Sequence, residues 1–358
     1  MIPDSPNRPR RVLITGVSNP LGSEVARRLA AQVPFLFGCD VADPVSAQED
    51  MDFVHADTRH AAIGKLVRQL RIDTVVHMAV TVDSAHHDRA AHETNVIGTM
   101  NVLAGCTGSS SGVERLVVKS SQAIYGAGPT DPSFLSEELV GPERQGSLTT
   151  RDLREMEQLV GEFALRSSDC HVTVLRLGYR VTADTTLAKY LSLPIVPMFA
   201  GFDPRLQLLH EEDAVEAIVR AALGDRPGVF NVAGDGVVLL SQAIAIMGGT
   251  AAPALLPYGR WMARLGLRAV TGIDLPGHLA DLLVFGSVAD CSRLAAEFGW
   301  SPAYQTRAVM DAFAQGKDVE VIESPSPPQE YELQVYLQRR RREERNGHRI
   351  GTSMLARP

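Results

Sequence analysis

The residues that first suggest chemistry lie in "TGVSNPLG", residues 15 to 22, where an apolar run gives way to a helical pattern. Such a loop binds a dinucleotide when backbone N–H groups approach the pyrophosphate and a helix N-terminus points at it; glycines permit that approach. Gly16 and Gly22 supply the outer positions, with Ser18 and Leu21 between them, and Asn19 stands where a middle glycine is usual. Asn19 followed by Pro20 predicts an N-cap and a first-turn proline, so another device starts the helix. The cost is a Cβ near the phosphates. Asp40, at the end of the next apolar run, lies in the neighbourhood about 20 residues after the loop, where a carboxylate accepts ribose hydroxyls. An aspartate there favours NAD; it would repel the 2′-phosphate of NADP.

Other polar clusters are weaker. His86, His87 and Asp88 are adjacent and could ligate a metal or act as a base, but a solvated loop is the simpler reading, and no spacing elsewhere makes a metal site. Cys39, Cys106, Cys170 and Cys291 are far apart and read as reduced core thiols.

A parallel sheet would bring these positions together. "RVLIT" (11–15), "FLFGCD" (35–40), "TVVHMA" (74–79), "RLVVKS" (115–120) and "HVTVLRL" (171–177) are the strand candidates, with helical patterns between them. "VFNVAG" (229–234) reads as a returning strand after the helical "EEDAVEAIVRAAL". The expected organisation is a flexible segment at 1–10, a nucleotide-binding domain from 11–178 and 206–235, and a smaller, mostly helical lobe from 179–205 and 236–317. An exposed charged tail follows at 318–358, containing the run "RRRREER".

Composition narrows the classes. A net charge of -7 gives no basic field for nucleic acid. No stretch reaches the ~18 uninterrupted apolar residues of a membrane span, and the N-terminus lacks a signal-peptide pattern, so a cytoplasmic protein is expected.

From about residue 11 to 315 the chain resembles the extended short-chain dehydrogenase/reductases, the group of NAD-dependent epimerases and dehydratases. The likeness rests on "VLITGVSNPLG", "HADTRH", "VVHMAV", "ETNVIGTMNVL", "KSSQAIYG", "LLHEEDAVEAI" and "FGWSP". It implies a Rossmann-type doubly wound parallel α/β sheet with a helical C-terminal substrate lobe. It also implies cofactor contacts from Asp57, Thr58, Met78, Ala79 and Asn95, in addition to the loop. Ser121 takes the place of the serine that orients the substrate hydroxyl, and Gln122, Arg176, Tyr179 and Arg205 fall where the substrate pocket is lined. A homodimer through two long helices is implied by the same analogy.

One station departs from the pattern. The family's acid/base tyrosine and the lysine four residues after it should open the helix within "GSLTTRDLREMEQLVGEFA"; aligned on Glu155, Ser147 and Arg151 stand there instead, and aligned on Glu157, Thr149 and Leu153 do. Arg151 can still hold a ribose, whereas a Ser147 hydroxyl is too weak an acid to replace a phenol. The dehydratases' Asp-Glu pair after the serine is here Gln122 and Ala123, which disfavours dehydration. Tyr179 is the expected substitute proton donor. Two functions follow: an NAD-dependent oxidoreductase or epimerase-like enzyme acting on a hydroxyl of a nucleotide-sugar or related alcohol, or a non-catalytic NAD(P)-binding sensor or scaffold.

Overall fold

Seven strands, the inner ones apolar because they are covered on both faces, pair in one sheet. β1 (Arg11–Thr15), β2 (Phe35–Asp40), β3 (Asp52–His55), β4 (Thr74–His77), β5 (Arg115–Ser121), β6 (His171–Leu177) and β9 (Gly228–Val232) lie in the order β3-β2-β1-β4-β5-β6-β9. Every neighbouring pair is parallel. The order reverses between β1 and β4, the switch point outside which doubly wound sheets bind ligands. This is the expected Rossmann-type sheet. The computed structural model describes residues 9–44, 50–82, 89–108, 111–140, 146–254, 268–269 and 271–316, all within a compact unit that runs to Glu320. His86, His87, Asp88 and the expected tail from 318 lie outside the described residues.

Side chains alternate across the sheet, so each strand feeds two cores. Val12, Ile14, Val76 and Val117 pack with α1 (Pro20–Ala30) and α7 (Glu211–Leu223). Leu13, Val75, Leu116 and Val118 face α2 (Ala62–Gln69), α4 (Thr99–Cys106) and α5 (Leu148–Arg166) on the other side. α4 is entered through α3 (Arg89–His92) and a π-helical turn, Glu93–Gly98, a geometry often found at functional sites.

The remaining elements are α6 (Thr186–Leu191), β7 (Ile195–Phe199), β8 (Arg205–Leu206), β10 (Val238–Leu239), α8 (Leu240–Ile246), β11 (Thr250–Ala254), α9 (Gly277–Phe285), α10 (Ser292–Phe298) and α11 (Thr306–Gln315). β8 pairs antiparallel with β10, and β7 parallel with β11. Leu187, Leu191, Leu208, Leu240, Leu279 and Met310 share a third core at this end of the chain. The "HEEDA" segment ties it to the sheet. His210 caps α7, and Asp213 accepts from Ala303 N at 2.8 Å and Tyr304 N at 3.0 Å, anchoring the segment beyond Trp300.

Candidate active site

Asn19 has φ −88° and ψ 159°, extended backbone that does not need glycine. Its Oδ1 accepts from Gly22 N at 2.8 Å while its Nδ2 donates to Gly16 O at 2.8 Å, so one side chain fixes both ends of the loop. Pro20 takes the first helical position and Leu21 is buried beneath it. The two glycines are sterically obligatory. A Cβ on Gly16, whose φ is +78°, would lie 2.7 Å from Ala79 N, and one on Gly22 would lie 2.3 Å from Gly16 O.

Asp40 closes β2 with its carboxylate accepting from Ser18 N at 3.0 Å and Val41 N at 2.7 Å, on separate oxygens. Among the described residues each oxygen takes one such donor and keeps a second lone pair, the capacity a ribose diol requires. Asp57 is committed differently. Arg59 donates to it from the side chain, Nη2 at 2.6 Å, and from the backbone, and chiefly the side-chain bonds hold this carboxyl below its ordinary range. Little acceptor capacity is left for an adenine amino group. Thr58 is buried under Gly98, where a Cβ would come within 2.8 Å of its Oγ1.

The strand ends are pinned by buried polar groups. His77 joins Thr15 Oγ1 (2.8 Å) to Thr99 Oγ1 (2.9 Å), and burial pushes its pKa down to about 4, so it is neutral. Met78 is buried in the core, and Ala79 supplies the backbone against which Gly16 packs. Asn95, in the π-helical turn, accepts from Thr81 N at 2.7 Å and donates to Thr81 O at 2.8 Å. Its side chain therefore positions the segment after β4.

A cavity of about 140 Å³ opens at the carboxyl ends of β5 and β6, lined by Lys119, Ser121, Tyr179, Arg180, Thr185 and His278 among others. Ser121 Oγ accepts from Ala123 N at 3.2 Å, which orients the hydroxyl. The Tyr179 ring lies nearly parallel to His278, 13° apart with centroids 6.4 Å distant; burial, then the Asp281 carboxylate, raises its phenol far above the ordinary value. A tight loop with two close-packed glycines at a helix N-terminus, an acidic residue at the end of β2 and a polar cavity at the carboxyl ends of β5 and β6 fit a nicotinamide dinucleotide.

A model of the NAD dependent epimerase/dehydratase family matches residues 12–233. The chain belongs to that family. An uncharacterised protein of Mycobacterium tuberculosis is 34% identical over 333 residues, covering 90% of this chain and 88% of the relative. The fold is also that of a UDP-glucose 4-epimerase from Thermotoga maritima solved with UDP-glucose, with TM-score 0.66, 17% identity, and 85% and 97% of the two chains covered. A Thermus thermophilus UDP-glucose 4-epimerase solved with NAD gives TM-score 0.64, 21% identity, and coverage of 85% and 98%.

Against the epimerase/dehydratase pattern, the start of α5 carries capping and packing residues. Ser147 is the N-cap, its Oγ accepting from Thr150 N at 3.1 Å, and Thr150 in turn donates to Ala123 O at 2.9 Å. Arg151 is exposed, and neither it nor Ser147 is among the residues lining the cavity. Thr149 and Leu153, in the alternative alignment, are buried.

Three residues expected to line the substrate pocket are not among those lining this cavity. Arg176 is 4% exposed and is held by Glu157 (2.7 Å), the Tyr125 hydroxyl (2.9 Å) and Glu137 O (2.8 Å). It faces the α5 side because it pairs with Ser120, not Ser121, whose parity on β5 is opposite. These bonds cross-brace β6, α5 and the segment before α5. Gln122 is fully buried, and among the described residues its amide has no hydrogen-bond partner. Arg205 is exposed on β8, its side chain reaching Ser133 O at 3.4 Å among the described residues.

Lys119 is a titratable cavity residue to which the sequence motifs assigned no role. Its Nζ donates to Val80 O at 2.8 Å, and desolvation, then the nearby Arg180 cation, lowers its pKa to about 8. The available signal was its parity: Lys119 and Ser121 are two apart on one strand and so share a face.

Proposed function

We propose that the protein is an NAD-dependent oxidoreductase of the epimerase type, acting on a hydroxyl of a nucleotide-linked sugar or a related alcohol. The single observation that carries this is the cavity at the ends of β5 and β6, which gathers Ser121, Tyr179 and Lys119 beyond the switch point of the sheet. Gly16, Ser18, Asn19, Gly22 and Asp40 would hold the dinucleotide, with the α1 N-terminus facing its pyrophosphate. The bound nicotinamide supplies hydride acceptance and return.

Within this reading Ser121 hydrogen-bonds the reacting hydroxyl and Tyr179 walls the cavity. The raised phenol makes Tyr179 a hydrogen-bond donor that holds its own proton near neutral pH, which weakens its expected role as proton donor. The free carboxylate capacity of Asp40 supports NAD over NADP. Exposed Met100 on α4 and Leu148 and Leu165 on α5 support a homodimer through these helices.

Purified protein incubated with NAD and a panel of UDP- and TDP-sugars should show reduced nicotinamide by absorbance near ~340 nm or a changed sugar. Binding of NAD without turnover on any of them would favour the sensor reading, which the capping role of Ser147 and the exposure of Arg151 support.

A further inference from the structure

The chain carries 35 cationic side chains, of which four are lysines, Lys65, Lys119, Lys189 and Lys317; the rest are arginines. One of these few lysines stands in the cavity beside Ser121. The distinction matters chemically, because a lysine can release a proton near neutral pH and an arginine cannot. Lys119 Nζ spends one donor on Val80 O, and among the described residues no second partner takes the others. An ammonium has three donors, so two are left for whatever enters the cavity.

We propose that Lys119 is the proton-carrying residue of this cavity, replacing the tyrosine–lysine pair that α5 lacks. The inference rests on the oxidoreductase reading above. In the oxidative direction the neutral Lys119 amine takes the substrate's hydroxyl proton: the O–H and C–H bonds break, a C=O bond forms, and the oxidised nicotinamide is the co-reactant that takes up the hydride. The resulting ammonium returns the proton when the hydride comes back. Ser121, on the same strand face, holds the hydroxyl between them.

The charges facing Lys119 from each packed element suit this exchange. From the segment after β6 comes Arg180, from α7 Glu211, which pairs with Arg180, and from β4 the neutral His77. α9 contributes His278 to the same cavity wall and Asp281 beside Tyr179. With no carboxylate hydrogen-bonded to Nζ among the described residues, desolvation prevails and the amine is readily deprotonated.

The test is an NMR titration of the full chain labelled with [ε-13C]lysine, where few signals overlap and the Lys119→Arg and Lys119→Met variants assign one of them. The Lys119 signal should titrate with a midpoint near 8, at least a hundredfold more acidic than an exposed lysine, and shift when NAD is added. In parallel, Lys119→Arg should retain NAD affinity and lose turnover at least a hundredfold, with the wild-type rate rising through the NMR midpoint. A midpoint at the ordinary lysine value, or a Lys119→Arg enzyme as fast as wild type, would overturn the assignment even if NAD binding and turnover stand. Conversely, absence of NAD binding by wild type would remove the oxidoreductase reading and with it Lys119's catalytic role, while the titration alone would still report an acidic lysine.

Discussion

Asn19 and Lys119 show how single residues carry the account. Asn19 replaces a loop glycine without strain because it caps α1 and bonds back to Gly16. Asn19→Ala should therefore cost about 1 kcal/mol of stability in chemical denaturation, whereas Asn19→Gly should cost only a few tenths. Lys119, with its pKa lowered from 10.5 to about 8, makes the native state bind fewer protons than the unfolded chain between these values. Stability on this account rises with pH through that window and is penalised below it. Lys119→Met should raise stability at pH 7 by on the order of 1–2 kcal/mol, net of the lost hydrogen bond to Val80, with the gain shrinking as pH rises past 8. His77 follows the same sign lower on the scale: its pKa is depressed to about 4 by burial, so its native state also binds fewer protons than the unfolded chain between about 4 and 6.5, and it contributes stability fully present only above 6.5. That contribution is lost as pH falls through 4, so denaturation midpoints should drop over this range and His77→Asn should flatten the slope.

Whole elements explain what was legible in the chain and what was not. β1, β2 and β6 announce themselves because burial on both faces makes them continuous apolar runs, and the Asn-Pro start of α1 is a local signal that packing did not override. β3 escaped because it is only four residues long, with an exposed residue at each end. The misplacement of Arg176 has the same cause as the oversight of Lys119: motif spacing assigns a residue to a strand, but strand parity decides which side of the sheet it serves. Arg176 turned toward α5 and Glu157, while Lys119 turned with Ser121 to the cavity. The buried Arg176–Glu157 pair should be costly to halve; Glu157→Ala should lose about 3–5 kcal/mol, since it strands an uncompensated guanidinium. Ser147→Ala, by contrast, removes one cap of α5 and should cost about 1 kcal/mol. A fall in thermal midpoint with kcat retained is the expected outcome, and a selective loss of kcat would restore Ser147 to the chemistry.

At the scale of the molecule, the sheet, its switch point and the two obligatory glycines of the loop form a dinucleotide scaffold that the departures on α5 leave intact. Among the described residues no helix is long and apolar enough to cross a membrane, and no group of three or more His, Cys, Asp and Glu could hold a metal. On the proposed reading the chemistry rests on the cavity at the ends of β5 and β6 and on what lies across from Ser121. The most direct measurement is calorimetric titration of the purified full chain with NAD, followed on the same sample by the nucleotide-sugar assay at ~340 nm. Saturable binding that Gly22→Ala abolishes, with reduction or isomerisation of at least one sugar, is the predicted result. Failure of the wild-type protein to bind NAD would contradict the account.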